Sequence, residues 1–295
     1  MKKLSDFGIL EENVNLKKYN TYRIDTNTRY MLHPTSVKEL QEFLEYAKEQ
    51  NIPFFVIGNG SNVVFSDTMY DGVIVKLDAL NTITYHNNEV YVTAGVMINS
   101  LALQILDHGL VGLEWASGIP GTIGGCIFGN AEAYKISTFD CLKEVTFLNE
   151  KSEIKTLPKE SISYGYRTSY FKEHPENIIL SATLSLEYGI REDALEKIQS
   201  RRERRVSTQP LELPSAGSVF RNPSVDMPSW MLIDGVRLKG YRIGDAMISE
   251  KHANFIVNVG SATGKNIRDL IEYSKRKVKE KYNVDLVLEQ EYKDW

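Results

Sequence analysis

Apolar positions along the chain recur with two different periods. Val37, Leu40, Leu44 and Ala47 fall at helical spacing behind Ser36-Val37-Lys38-Glu39, which has the S-x-x-E form of a capping box. The spacing predicts a helix that ends near Asn51. Pro53 then precedes a short apolar run, Phe54-Phe55-Val56-Ile57, that reads as a buried strand, and Val63-Val64-Phe65 follows after a glycine loop. Strands are predicted over residues 73–77, 82–85 and 90–94, with Asn87-Asn88 turning the chain between the last two. Ile98, Leu101, Ala102, Ile105 and Leu106 mark a second helix, stopped by Gly109. Further strands are predicted over residues 143–148 and 178–186, then a charged helix over 192–206. Beyond an irregular segment between Pro210 and Pro214 come an apolar strand over 255–259 and a helix with Ile267, Leu270, Ile271, Ser274 and Val278 on one face. The closing stretch alternates as a strand does: Val284, Leu286 and Leu288 point one way, and Asp285, Val287, Glu289 and Glu291 the other. Helices and strands interleave throughout, so the class is mixed α and β.

Length and composition narrow the function. At 295 residues the chain is long enough for about two domains, and the Pro210–Pro214 segment is the best candidate boundary. Hydrophobic residues at 42% and charged residues at 25% are ordinary globular composition. A net charge of -4 argues against a nucleic-acid binder, which carries a basic surface. Cys126 and Cys141 are too few for a disulfide framework or a Cys-built zinc site. The five histidines, His33, His86, His108, His174 and His252, show no metal-ligand spacing. No apolar run approaches the roughly 18 residues of a membrane span, and no signal-peptide pattern follows the first lysines. The expectation is a cytoplasmic protein without membrane or nucleic-acid partners.

Two glycine-rich loops carry the candidate chemistry: Gly58-Asn59-Gly60-Ser61-Asn62, and Gly118-Ile119-Pro120-Gly121-Thr122-Ile123-Gly124-Gly125. Glycines let a backbone approach phosphate closely and aim several N–H groups at it. The first loop is not a Rossmann fingerprint, since G-x-G-x-x-G requires glycine where Val63 stands. The Walker-like string from Gly260 to Asn266 is one residue short and ends in asparagine. Either glycine loop alone reads as a surface turn; two in one domain, each flanked by apolar strands, read as a cradle for a nucleotide-type cofactor. Arg201-Arg202-Glu203-Arg204-Arg205 reads as a solvated helix end or as a face toward a phosphorylated ligand. Three further segments are chemically unusual: Tyr164-Gly165-Tyr166-Arg167, Ala216-Gly217-Ser218-Val219-Phe220-Arg221-Asn222-Pro223, and Leu288-Glu289-Gln290-Glu291. Separately these read as a stacked arginine, a turn serine and a solvated edge.

These segments, with Gly112-Leu113-Glu114, Leu238-Lys239-Gly240 and Ile243-Gly244, occur in a characteristic order from about Tyr19 to Tyr292. By them the chain resembles the UDP-N-acetylenolpyruvoylglucosamine reductase (MurB) family. Ser218-Val219-Phe220, where the longer form has Ser-Phe-Phe, marks the shorter type. The resemblance implies an α+β fold: an FAD-binding domain of the vanillyl-alcohol-oxidase type, in two α+β subdomains over residues 1–79 and 80–204, and a C-terminal α+β substrate-binding domain over 205–295, from which strand 284–292 can return to the FAD domain. It implies non-covalent FAD held by Gly58, Asn59, Gly60, Ser61, Asn62, Gly118, Ile119, Pro120, Gly121, Gly124, Gly125 and Arg205. It implies NADPH as hydride donor, UDP-N-acetylglucosamine enolpyruvate as substrate, and a monomer serving peptidoglycan precursor synthesis. Arg167 and Glu291 would stabilise an enol or enolate, Ser218 would supply a proton, and Asn222 would contact the substrate nucleotide.

Three departures from the family pattern stand out. Asp25-Thr26 replaces a usual Gly-Gly, Glu132 and Lys135 replace the glycines of Asn-Ala-Gly-Ala-Tyr-Gly, and Thr208 replaces a lysine before Gln209-Pro210. A sugar or alcohol oxidase of the same fold, a divergent FAD-dependent paralogue and a non-catalytic nucleotide-binding relative stay open as alternatives.

Overall fold

The computed structural model describes residues 2–293. Its contacts divide the chain into two compact units. The first comprises Met1–Glu12, Arg29–Asn59 and Asp71–Arg202; the second comprises Asn13–Thr28, Gly60–Tyr70 and Glu203–Trp295.

In the first unit, the strands Ile154–Pro158, Leu142–Leu148, Ile178–Ser185, Glu89–Thr93 and Ile83–His86 form one sheet in that order. Every neighbouring pair is antiparallel. Alternate residues such as Val90 and Val92, or Val145 and Phe147, point into the core, against which helices Ile98–Gln104 and Ile123–Phe128 lay Leu101, Ala102 and Ile127. The first of these helices tightens into a 3-10 turn, Ile105–His108, and stops at Gly109, whose φ of 68° closes it in the left-handed region. Strand Phe54–Ile57 runs parallel to Tyr70–Lys76, pairing Ile57 with Lys76.

Helix Val37–Glu49 buries Leu40, Leu44 and Ala47, as its spacing predicts, and Phe43 besides, while Val37 is half-buried. Its cap differs from a simple capping box. Ser36 Oγ accepts from the Glu39 N–H at 3.2 Å, but the Glu39 carboxylate takes the backbone N–H of Thr35 at 2.6 Å and its hydroxyl at 2.9 Å. The hydroxyl of Thr35 gives that carboxylate a second donor, so the reciprocal arm moves one residue back.

His33 of the same unit stands between two carboxylates, with Nδ1 2.7 Å from Asp78 Oδ1 and Nε2 3.0 Å from Glu11 Oε1. The Asp78 hydrogen bond raises its pKa above the ordinary 6.5, against an opposing pull from burial. A base whose folded pKa is raised adds stability that is full below the unfolded value and lost as pH rises through the folded one. The urea midpoint is therefore expected to fall as pH climbs from 6.5, the ordinary value, through the raised pKa. A His33→Gln chain should lack this slope; an equal slope in both would refute the assignment.

The second unit is built on helix Gly264–Tyr282, whose Ile267, Leu270, Ile271 and Val278 are fully buried. Thr263 caps it by accepting from the Asn266 N–H, and Asp67 accepts from the N–H groups of Gly264 and Lys265. A three-stranded antiparallel sheet, Arg242–Ile243, Ala246–Ile248 and Ile256–Asn258, contributes to the same core. Strand Glu291–Lys293 pairs in parallel with Val63–Phe65.

The closing stretch is not the continuous alternating strand its pattern predicts. Leu288 makes only a bridge to Phe220, the chain bends at Gln290, and regular pairing resumes at Glu291. Val287 is 55% exposed while Glu289 is only 8% exposed, so the two carboxylates do not share a solvated face. The reason is Gln290, whose buried amide accepts from Tyr22 OH at 3.0 Å and donates to Ala216 O at 3.0 Å. Drawing that amide inward breaks the period of two and turns Glu289 toward Arg221 Nε, at 3.5 Å.

Candidate active site

The two glycine loops acquire their geometry from packing that only glycine permits. In the first unit, a Cβ on Gly58 would meet Thr122 Oγ1 at 2.6 Å. Thr122 is fixed there as the cap of helix Ile123–Phe128, accepting the Gly125 N–H at 3.2 Å. Asn59 Nδ2 donates to Pro120 O at 2.9 Å, tying the first loop to the second. Gly124 lies against Ala94, 3.0 Å from where its Cβ would stand. Burial pushes the Cys126 thiol up to about 12, which leaves it protonated at neutral pH and suited to packing beside Gly121.

In the second unit, Gly60 has φ +63° and sits where any Cβ would meet Tyr19 O at 2.0 Å. Asn62 Nδ2 donates to Glu289 O at 3.1 Å, and Asn62 O accepts from the Glu291 N–H at 2.9 Å. Among the described residues, the backbone N–H groups of Gly60, Ser61 and Asn62 have no protein acceptor. A run of donors held by glycine-tight packing and left for an external acceptor is what a phosphate group requires. The residues present therefore fit a dinucleotide cofactor.

Arg167, in the first unit, lies on the two-residue turn between strands Tyr164–Gly165 and Thr168–Ser169. Its φ is +59°, a region that disfavours any side chain. Asn130 pins the turn by donating from Nδ2 to Gly165 O at 2.9 Å, and Arg167 Nη2 donates to Glu132 O at 3.2 Å. The guanidinium is 6.0 Å from the Tyr166 ring centroid, so the expected aromatic contact is loose.

Ser218, in the second unit, follows Gly217, whose φ is +73°. Gln290 Nε2 holds the carbonyls of Ala216 and Gly217, at 3.0 and 3.5 Å, and Val219 N donates to Asn254 O at 2.9 Å. The serine backbone is thus fixed on both sides, while among the described residues its hydroxyl has no hydrogen-bond partner. Glu291, half-buried, opens the strand beside Val63. Asn222 is exposed and accepts the Ser229 N–H at 3.1 Å, ordering the start of helix Ser229–Gly235. Arg205 is half-buried on helix Arg191–Thr208.

Gln290 and Asn254 have no sequence signal as functional residues. The partners of Gln290 lie 268 and 74 positions away, and no local periodicity links them. Lys76, buried at the end of an apolar strand with Nζ 3.0 Å from Gly58 O, is also missed by spacing alone.

Each departure is accommodated locally. Asp25 accepts from Asn15 Nδ2 at 2.7 Å, and Thr26 Oγ1 donates to Thr68 O at 3.0 Å. Thr208 folds its hydroxyl back onto Arg204 O at 2.7 Å and ends the helix. Tyr134 and Lys135 turn a hairpin between Glu132–Ala133 and Ile136–Ser137, with φ of +57° and +63°. Such a turn favours glycine, and Lys135 carries the strain that a glycine would not. Lys135→Gly is expected to stabilise the protein by about 1 kcal/mol, a rise of roughly 2–4 °C in thermal midpoint. A lower midpoint would show that Lys135 makes compensating contacts.

Comparison with known proteins places this geometry. Residues 28–158, which hold both glycine loops, match the family model of an FAD binding domain, so the chain carries a domain of the FAD-binding α+β class. Residues 209–293 match the model described as the UDP-N-acetylenolpyruvoylglucosamine reductase C-terminal domain. Over 98% of the chain and 95% of its counterpart, it is 38% identical to the UDP-N-acetylenolpyruvoylglucosamine reductase of Caldanaerobacter subterraneus. To the enzyme of the same name from Francisella tularensis it is 40% identical over 95% and 99%. The crystal structure of the Thermus caldophilus reductase superposes with a TM-score of 0.80 at 30% identity, covering 96% of this chain and 99% of that one. The chain belongs to the UDP-N-acetylenolpyruvoylglucosamine reductase family. Among the described residues, no helix is long and apolar enough to cross a membrane.

Proposed function

We propose that the protein reduces UDP-N-acetylglucosamine enolpyruvate to UDP-N-acetylmuramate, with NADPH as hydride donor and FAD as carrier, in peptidoglycan precursor synthesis. The observation that carries this reading is the presence in one chain of both matches, FAD binding over 28–158 and reductase C-terminal over 209–293. An FAD domain alone would serve a sugar or alcohol oxidase equally well; the second match supports the reductase.

When bound by the residues of the glycine loops, FAD would supply hydride transfer between NADPH and the vinyl CH2 carbon of the substrate. Hydride addition there leaves negative charge delocalised toward the substrate carboxylate, and the neighbouring carbon must gain a proton. Arg167 is the residue proposed to meet that charge, since its guanidinium offers a planar fork of N–H donors matched to a carboxylate. Glu291 is proposed to act with it, on the same enol or enolate. Ser218 is proposed as the proton donor: its O–H bond breaks toward the carbon, and solvent restores the hydroxyl. In support, its backbone is fixed by Gln290 and Asn254 while its hydroxyl stays unengaged among the described residues. Asn222 is proposed to contact the substrate nucleotide. Arg205 and the residues of loops 58–62 and 118–125 are proposed to hold FAD.

An anaerobic titration tests the reading. NADPH should bleach the flavin spectrum, and colour should return on adding the enolpyruvyl sugar nucleotide. Return of colour only on admitting oxygen would sink the reductase in favour of an oxidase.

A further inference from the structure

Lys76 is 8% exposed and ends an otherwise apolar run, Val73-Ile74-Val75, within strand Tyr70–Lys76. A buried ammonium is costly unless something engages its donors, so its presence there calls for a reason. Its register partner Ile57 immediately precedes the first glycine loop, which brings Nζ to 3.0 Å from Gly58 O. Resting on the FAD reading above, we propose that Lys76 is a positioning residue for the diphosphate of the dinucleotide, acting by fixing the peptide plane between Gly58 and Asn59.

The physical argument is the rigidity of one amide. A trans peptide is planar, with its C=O and N–H directed oppositely, and no described peptide bond is cis. Holding the Gly58 carbonyl toward the ammonium therefore directs the Asn59 N–H away from it. Two more contacts lock the plane. Thr122 Oγ1 fills the space where a Gly58 Cβ would stand, 2.6 Å from that position, and the Asn59 side chain holds Pro120 O at 2.9 Å.

A neutral donor could orient the same carbonyl, but the ammonium does more. It withdraws electron density through the amide, so the outward N–H becomes a stronger donor, as linked hydrogen bonds reinforce one another. It also places a positive charge behind the loop in a poorly screened setting, which favours a doubly charged diphosphate. The ligand feature recognised is the diphosphate itself, shared by FAD and ADP. Lys76 is then a residue of binding, acting through Gly58, and takes no part in the hydride or proton steps.

The test is the dissociation constant of FAD and of ADP, by titration calorimetry into flavin-freed protein. Lys76→Met is expected to weaken both ligands about 10- to 100-fold, the range lost with a charge-assisted hydrogen bond, and Lys76→Arg to recover most of it. Lys76→Gln keeps a donor near Gly58 O without the charge and should weaken both ligands to a lesser degree; it decides the matter if Lys76→Met does not fold. Unchanged FAD affinity in the folded variants overturns the role, as does weakening of FAD with ADP unaffected, or failure of Lys76→Arg to recover binding. A wild-type protein that binds neither ligand overturns the FAD reading itself, which separates the two failures.

Discussion

Ser218→Ala is expected to leave NADPH reduction of the bound flavin at its wild-type rate while slowing reduction of the enolpyruvyl sugar nucleotide about 10²- to 10⁴-fold, the usual contribution of a positioned proton donor. The split between the half-reactions follows from what the hydroxyl does. It is needed only when the substrate carbon beside the newly reduced one takes up its proton. Removing it should not disturb the surrounding backbone, which is held by Gln290 to Ala216 O and by Val219 to Asn254 O rather than by the serine side chain. Stopped-flow measurement of each half-reaction decides the point. Equal losses in both, or a substrate step that stays fast, would remove Ser218 from the role.

Arg167→Gly should separate stability from activity. Arg167 occupies φ +59° on its turn, where an L side chain costs about 1 kcal/mol or more and glycine costs nothing. Relief of that backbone strain is expected to offset the side-chain contacts the variant loses, among them the hydrogen bond to Glu132 O at 3.2 Å, so that the thermal midpoint stays within about 2 °C of wild type. Its turnover should nevertheless fall about 10²- to 10³-fold, the typical loss when one stabiliser of developing negative charge is removed. The fall belongs in kcat, because the charge added beyond that of the substrate carboxylate develops only as the hydride arrives. A variant with raised KM and unchanged kcat would show that Arg167 binds the ground state. Full activity would show that the strain at residue 167 has no catalytic purpose. Strain retained at a residue needed for chemistry, and relieved only at the expense of that chemistry, is the pattern expected of a functional turn.

The sequence by itself determined the elements whose burial follows a local period. Helix Val37–Glu49 and helix Gly264–Tyr282 are legible because their apolar faces repeat within one turn, and Gly109 stops its helix for reasons confined to its own backbone. The ordered motifs identified the family, and both glycine loops lie within the stretch that matches an FAD-binding domain. Tertiary structure decided what depends on partners distant in the chain. It joins residues 13–28 and 60–70 with 203–295 in one compact unit, a grouping that hydropathy along the chain cannot express. It also breaks the alternation of the closing stretch, because the Gln290 amide is satisfied by Tyr22 and Ala216, and so buries Glu289 where the period of two predicts a solvated edge. Lys76 is the same case: it lies inside the strand predicted over 73–77, and only register brings its ammonium to Gly58 O. Periodicity reports which way a side chain points relative to its own neighbours. Which polar group it meets there is settled by long-range packing, and a buried amide or ammonium goes where its hydrogen bonds can be made.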